Sequence, residues 1–272
     1  MKPASQFVDV GDTSIHVATA GSGPALVFLH GLGWDHHLWD AAFTHYSSQY
    51  RVIAGDTRGH GRSDKPHTPY SISLFAQDWL TVLDRLQIQR AVLVGFSQGG
   101  MVAMAMALQQ PQRFTSLVLA GTTCCIPPAV SDNLQQRLEQ LEELGALAAA
   151  KLACRSIFSP RFIEANPDYI QHFIHRRAAT DQTVLNNAMQ AVTGFSVCAQ
   201  LCRLPHPCLV LAAADDRLTP PEAVEAIHRH LPHSRFIVIP ETGHMMPVEQ
   251  PQFFYAQIDQ ALEQLYPRLQ GV

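Results

Sequence analysis

The chain has 272 residues, of which 47% are hydrophobic and 15% charged, with a formal net charge of −4. That length and apolar content suit one large domain with its own core, the acidic balance leaves no basic footprint for nucleic acid, and no apolar run reaches the length of a membrane span. The N-terminal Met1-Lys2-Pro3-Ala4-Ser5-Gln6 lacks an apolar signal region, so the cytoplasm is the expected location.

Two strands are predicted first, Phe7 to Val10 and Ser14 to Thr19, leading into the turn Gly21-Ser22-Gly23-Pro24. Strands and helices then alternate: strand 25–29, helix 37–47, strand 51–55, helix 72–86, strand 91–95, helix 98–109 and strand 115–120. Such alternation predicts an α/β fold with a mostly parallel central sheet flanked by helices. After Gly121 the pattern breaks. Residues 124–204 show no strand, whereas Leu134, Leu138, Leu141 and Leu144 recur at helical spacing with Glu139, Glu142 and Glu143 on the other face. The rhythm resumes after Pro205-His206-Pro207, with strands from Cys208 to Ala214 and Arg235 to Ile239 and a last helix around Pro251 to Leu265. The expected organisation is a core of residues 1–121 and 205–272 with an α-helical cap inserted at 122–204.

Residues 95–99 read Gly-Phe-Ser-Gln-Gly between the buried strand Ala91-Val92-Leu93-Val94 and an apolar helix. A sharp strand-to-helix turn strains its central residue, and glycines on either side prevent collisions. Ser97 is thereby lifted to a helix N-terminus, the setting of a nucleophile elbow. A serine nucleophile needs a base, and the base an orienting acid. The apolar strand ending at Ala214 runs into Asp215-Asp216, and the last strand runs into Pro240-Glu241-Thr242-Gly243-His244. Ser97, Asp216 and His244 are therefore in the chain order serine, acid, histidine, each past the end of its own strand, where open α/β sheets bind ligands. Singly, Ser97 and Asp216 are compatible with plain helix caps; the three together are not so easily explained. Asp215 stays open as the acid, because strand register decides which carboxylate faces His244. The oxyanion donors are assigned to the backbone N–H groups of Gln98, next to the nucleophile, and Leu32, in the turn His30-Gly31-Leu32-Gly33-Trp34.

These motifs, with Asp56-Thr57-Arg58-Gly59-His60-Gly61-Arg62-Ser63 and the ending Val248-Glu249-Gln250-Pro251, resemble the α/β-hydrolase family over essentially the whole chain. Within it, His30-Gly31-Leu32-Gly33 and Gly99-Gly100-Met101-Val102 are most similar to the 3-oxoadipate enol-lactonase and esterase group. The resemblance implies a cofactor-independent serine hydrolase acting on a small carboxylic ester or lactone through an acyl-enzyme. Two alternatives are shared by the same scaffold: a carbon–carbon bond hydrolase of dienoate ring-cleavage products, and a low-turnover ligand-binding member. Aspartate nucleophiles of dehalogenases and epoxide hydrolases are excluded, since serine stands at 97.

Trp34 and Met245-Met246 adjoin site loops and are expected to flank the pocket, while Trp39 and Trp79 are expected to pack helices on the sheet. Arg176-Arg177 suits a substrate carboxylate, but reads first as a solvated helix face. The six cysteines are expected as free thiols. Cys198, Cys202, His206 and Cys208 offer metal-ligand atoms but match no zinc spacing, so no metal is expected. His36-His37, His172, His175, His228, His230 and His233 read as scattered surface histidines. His60 belongs to a structural loop, and His30 shapes the oxyanion turn, with a second-base role left open.

Overall fold

In a computed structural model that describes residues 2–126, 131, 132, 134–136, 139 and 143–265, eight strands form one sheet. They are β1 (Ala4–Asp9), β2 (Ser14–Ala20), β3 (Ala25–Leu29), β4 (Arg51–Gly55), β5 (Ala91–Phe96), β6 (Phe114–Ala120), β7 (Cys208–Ala213) and β8 (Ser234–Ile239), in the order β1-β2-β4-β3-β5-β6-β7-β8. Only the β1–β2 and β2–β4 pairs are antiparallel. The central strands β3, β5 and β7 are buried at every position, because helices cover both faces and an alternating polar pattern would strand polar groups inside.

Period-two alternation still sorts the side chains. Val27, Leu29 and Leu93 face one core, shared with Phe75 and Trp79 of α2 (Ile72–Arg85), Val102 of α3 (Gln98–Gln109) and Ile227 of α8 (Pro221–His230). Leu26, Phe28 and Val92 face the other, packed by Phe43 of α1 (Asp40–Tyr46) and by Phe254 and Ile258 of α10 (Pro251–Leu265), which follows the single turn α9 (Met246–Glu249). Trp39 closes this second core, its ring 5.1 Å from Phe28. The helix expected at 37–47 is a 3-10 turn at His36–Trp39 followed by α1.

Between β6 and β7 the described helices include α4 (Ala146–Ile157), α5 (Pro160–Ala165), α6 (Pro167–Ala178) and α7 (Gln182–Gln190), with a 3-10 turn at Cys198–Arg203; the described residues 131, 132, 134–136, 139, 143 and 144 are helical too. Proline opens α5 and α6, and the Asp181 carboxylate caps α7 by accepting from Val184 N–H at 3.2 Å. Leu138, Leu141 and Glu142 of the expected leucine helix lie outside the described residues.

The cysteine expectation is corrected here. Cys124 and Cys198 form a disulfide, their Cα atoms 4.9 Å apart, so two of the six thiols are not free. The segments leaving β6 and approaching β7 run antiparallel past one another, with a bridge between Cys125 and Ser196 and Val197 N–H donating to Cys124 C=O at 2.7 Å. Pairing set by this long-range contact carries no signal in the residue spacing. Among the described residues no helix is long and apolar enough to cross a membrane.

Candidate active site

Strands β3 and β5 are neighbours whose onward connections depart to opposite sides, to β4 and to β6. A crevice opens at such a switch point. The loop after β3 and the turn after β5 meet there. Ser97 occupies that turn with φ +54°, a left-handed conformation that costs a serine energy and persists only when the surroundings enforce it. The enforcement is visible: Ser97 N–H donates to Ala120 C=O at 2.9 Å, and a methyl at Gly99 would collide with the Leu29 carbonyl. Gly95 is confined in the same way by the Gly99 carbonyl, 2.5 Å from where its Cβ would lie.

The His244 Nε2 stands 3.0 Å from Ser97 Oγ, and its Nδ1 stands 2.7 Å from Asp216 Oδ2. Asp216 is buried and also accepts from Leu218 N–H at 2.8 Å, Thr219 N–H at 2.9 Å and Thr219 Oγ1 at 2.8 Å. With an acceptor facing Nδ1, that nitrogen carries the proton and Nε2 is left as the basic lone pair toward serine. Asp215 is exposed, its N–H donating to Thr242 C=O, so strand register settles the contact on Asp216. The Thr219 hydroxyl, 3.4 Å from His244 Nδ1, is a neighbour of the dyad that the sequence reading does not single out. The Asp-x-x-Thr spacing, typical of a side-chain cap, was the available signal.

Ser97 and His244 open onto a cavity of about 70 Å³, which Leu32 and Gln98 also line. Its apolar wall includes Trp34, Ile126, Ile157, Val192 and Leu218, of which the residues from the β6–β7 segment were not singled out in the sequence. Gln98 opens α3, where N–H groups have no intrahelical acceptor. Its side chain turns away to donate to Ala188 C=O of α7 at 2.8 Å.

The other candidates fall as follows. Trp34 lines the cavity and stacks on Phe173, ring centres 5.5 Å apart. Met245 does not flank it: the turn after His244 drives Met245 and Met246 fully into the second core. Arg176 is likewise outside the lining; its guanidinium sits over Trp34 and 3.6 Å from Asp35 Oδ2. His30 uses both ring nitrogens, Nε2 accepting from Thr57 N–H at 2.9 Å and Nδ1 donating to Gly31 C=O at 2.8 Å, which removes it as a second base. Burial holds its pKa down. His36 is not a surface residue: it is buried, and its Nδ1 donates to Asp56 Oδ1 at 2.8 Å. His37, His172, His175, His230 and His233 are exposed. The four metal-type ligands do not form a set, since Cys198 is bonded to Cys124, Cys202 is exposed, and His206 Nε2 donates to Pro111 C=O.

Glu249, quoted above only as part of the Val248-Glu249-Gln250-Pro251 ending, has a bracing role the sequence does not reveal. Its Oε2 accepts from Gly243 N–H at 3.0 Å, beside His244, and from Ser159 N–H at 3.2 Å at the start of α5. One carboxylate thus ties the histidine loop to the β6–β7 helices.

The model of the alpha/beta hydrolase fold matches residues 24–251. A 3-oxoadipate enol-lactonase of Acinetobacter baylyi is 34% identical over 245 residues, covering 89% of this chain and 91% of its own. The pimeloyl-[acyl-carrier protein] methyl ester esterase of Nitrosomonas europaea is 28% identical, covering 90% and 98%. Among solved structures, a hydrolase from Pseudomonas aeruginosa superposes with a TM-score of 0.87 at 30% identity, over 95% of this chain and 98% of that one. With its family model matched from β3 to the start of α10, this chain belongs to the α/β-hydrolase fold family and is a hydrolase.

Proposed function

We propose that the chain cleaves a small carboxylic ester or lactone by way of an acyl-enzyme, with Ser97, His244 and Asp216 as nucleophile, base and orienting acid. The observation that carries the reading is the unbroken contact chain from Ser97 Oγ through His244 to Asp216, opening onto a cavity. The named substrates of the relatives, an enol-lactone of 3-oxoadipate and a methyl ester, support an acyl-oxygen bond as the one broken.

His244 Nε2 takes the Ser97 proton as Oγ attacks the carbonyl carbon. The oxyanion is held by the backbone N–H groups of Leu32 and Gln98, each worth about 2.7–4 kcal/mol of barrier in comparable sites. Collapse breaks the acyl-oxygen bond, and His244 returns the proton to the leaving alkoxide. A water molecule, deprotonated by His244, then attacks the acyl-enzyme and releases the acid. Asp216 keeps the proton on Nδ1 and offsets the imidazolium charge. The sequence needs no group beyond the chain and water. Residues 122–204, inserted between β6 and β7, act as the cap that shapes the acyl pocket above the core of 1–121 and 205–272.

The test is steady-state hydrolysis of a panel of p-nitrophenyl esters of rising chain length, several lactones and a dienoate diketone. Turnover of an ester or lactone, lost in Ser97→Ala, is expected. Preferential turnover of the diketone would replace the reading with carbon–carbon bond hydrolysis.

A further inference from the structure

The two cap arginines are drawn to the loop after β3, not to the cavity. The Arg176 guanidinium carbon lies 4.7 Å from the Trp34 ring centre, and Nη1 lies 3.6 Å from the Asp35 carboxylate. Arg177 is buried, and a Cβ at Gly33 would come within 2.5 Å of its Nη1. Gly33 has φ +74°, so this loop adopts a conformation that the bare glycine permits and the arginine packs against. Both cations therefore brace Gly33, Trp34 and Asp35, next to Leu32, the proposed oxyanion donor.

Among the described residues that line the cavity, none is lysine or arginine, and the wall beyond Ser97, His244, Gln98 and Thr219 is hydrocarbon, aromatic ring, glycine or thioether. Such a wall gains from each apolar group it covers. These described residues give a carboxylate no cationic partner, and an unpaired buried charge is strongly disfavoured. The cavity is small, about 70 Å³.

We propose that this site selects an uncharged ester or lactone with a short hydrocarbon acyl part, and that Arg176 and Arg177 are positioning residues of the oxyanion loop. The proposal rests on the ester or lactone reading above. It separates this chain from a lactonase whose substrate keeps a free carboxylate, as the enol-lactone of any dicarboxylic acid does.

The experiment compares two enol-lactones that differ only in a side arm, carboxymethyl in one and isobutyl, its neutral isostere, in the other. Turnover is measured on the native enzyme, and binding by calorimetry on Ser97→Ala. The isobutyl lactone is expected to have the higher kcat/KM by roughly 100-fold or more, and to bind the variant more tightly. A preference for the carboxymethyl lactone overturns the proposal and leaves the hydrolase reading standing. If neither lactone is turned over, that reading fails for lactones, and the binding arm still decides: equal or tighter binding of the carboxymethyl lactone, or no binding of the isobutyl one, overturns the proposal. Arg176→Gln adds a readout specific to its role. A brace for the loop lowers kcat severalfold for both lactones at an unchanged ratio, whereas a carboxylate clamp raises KM for the carboxymethyl lactone alone.

Discussion

Among the described residues are two serine–histidine–aspartate contacts of similar geometry, and only one has the surroundings of a catalytic site. At the crevice, Asp216 meets His244 at 2.7 Å and His244 meets Ser97 at 3.0 Å. Beside β1, Asp56 Oδ2 meets His16 Nδ1 at 2.9 Å, and His16 Nε2 meets the Ser5 hydroxyl. Both carboxylates are well supplied with donors: Asp56 also accepts from His36 Nδ1, His36 N–H and Arg62 N–H. The difference lies at the serine end. Ser97 is held at positive φ beside a cavity and a helix N-terminus, while Ser5 lies exposed within strand β1. Arg62 Nη1, 3.1 Å from His16 Nε2, occupies the lone pair a base would need. A hydrogen-bonded triad is therefore common chemistry; a presented nucleophile, a free lone pair and a place for the carbonyl make it a site.

The largest effect should separate the two serines. Ser97→Ala is expected to lower ester hydrolysis by roughly 10⁴- to 10⁶-fold and abolish labelling by a fluorophosphonate, read by mass spectrometry. Ser5→Ala should leave both within about twofold. Labelling that persists on Ser5 after Ser97 is removed would break the distinction.

Next come the two aspartates. Asp216→Asn should cost roughly 10⁴-fold in kcat with little change in the urea midpoint, because the imidazole loses its tautomer and orientation. Asp56→Asn should do the reverse. Two buried imidazoles lose their carboxylate, destabilising the fold by about 3 kcal/mol, while the folded fraction keeps its kcat. Equal kinetic losses in the two variants would refute the division of labour.

The smallest effect is in pH. Burial, then the neighbouring His30, push the His60 imidazole down to about 3. The folded state thus refuses a proton that the unfolded chain accepts near pH 6.5, so this stability is fully present above 6.5 and is lost as pH falls toward 3. His36 is shifted the other way, upward despite its burial, by its hydrogen bond to Asp56, and its contribution is already complete below 6.5. Unfolding free energy should fall between pH 7 and pH 5 by roughly 2 kcal/mol more in the native chain than in His60→Asn. An identical slope in the two would show that His60 is not held neutral.

Alternation of apolar runs and turn residues was enough to foretell a parallel sheet, and Gly95 to Gly99 between Val94 and Met101 enough to foretell a strained elbow. Both follow from local rules: hydrophobic period, glycine freedom, and the order of loops past strand ends. Ser97, Asp216 and His244 were legible for that reason. Asp216 and Asp215, by contrast, differ by one residue, and only the register of β7 against β8 turned one inward to His244 and the other to solvent. Met245 was misjudged because adjacency to a site residue says nothing about which way a turn folds. The Cys124–Cys198 bond, the burial of His36 on Asp56, and the use of Arg176 on Trp34 and Asp35 join residues 74, 20 and about 140 positions apart. No periodicity encodes such meetings. They arise when the packed layers bring distant segments together, and that packing also decides what the cavity wall is made of.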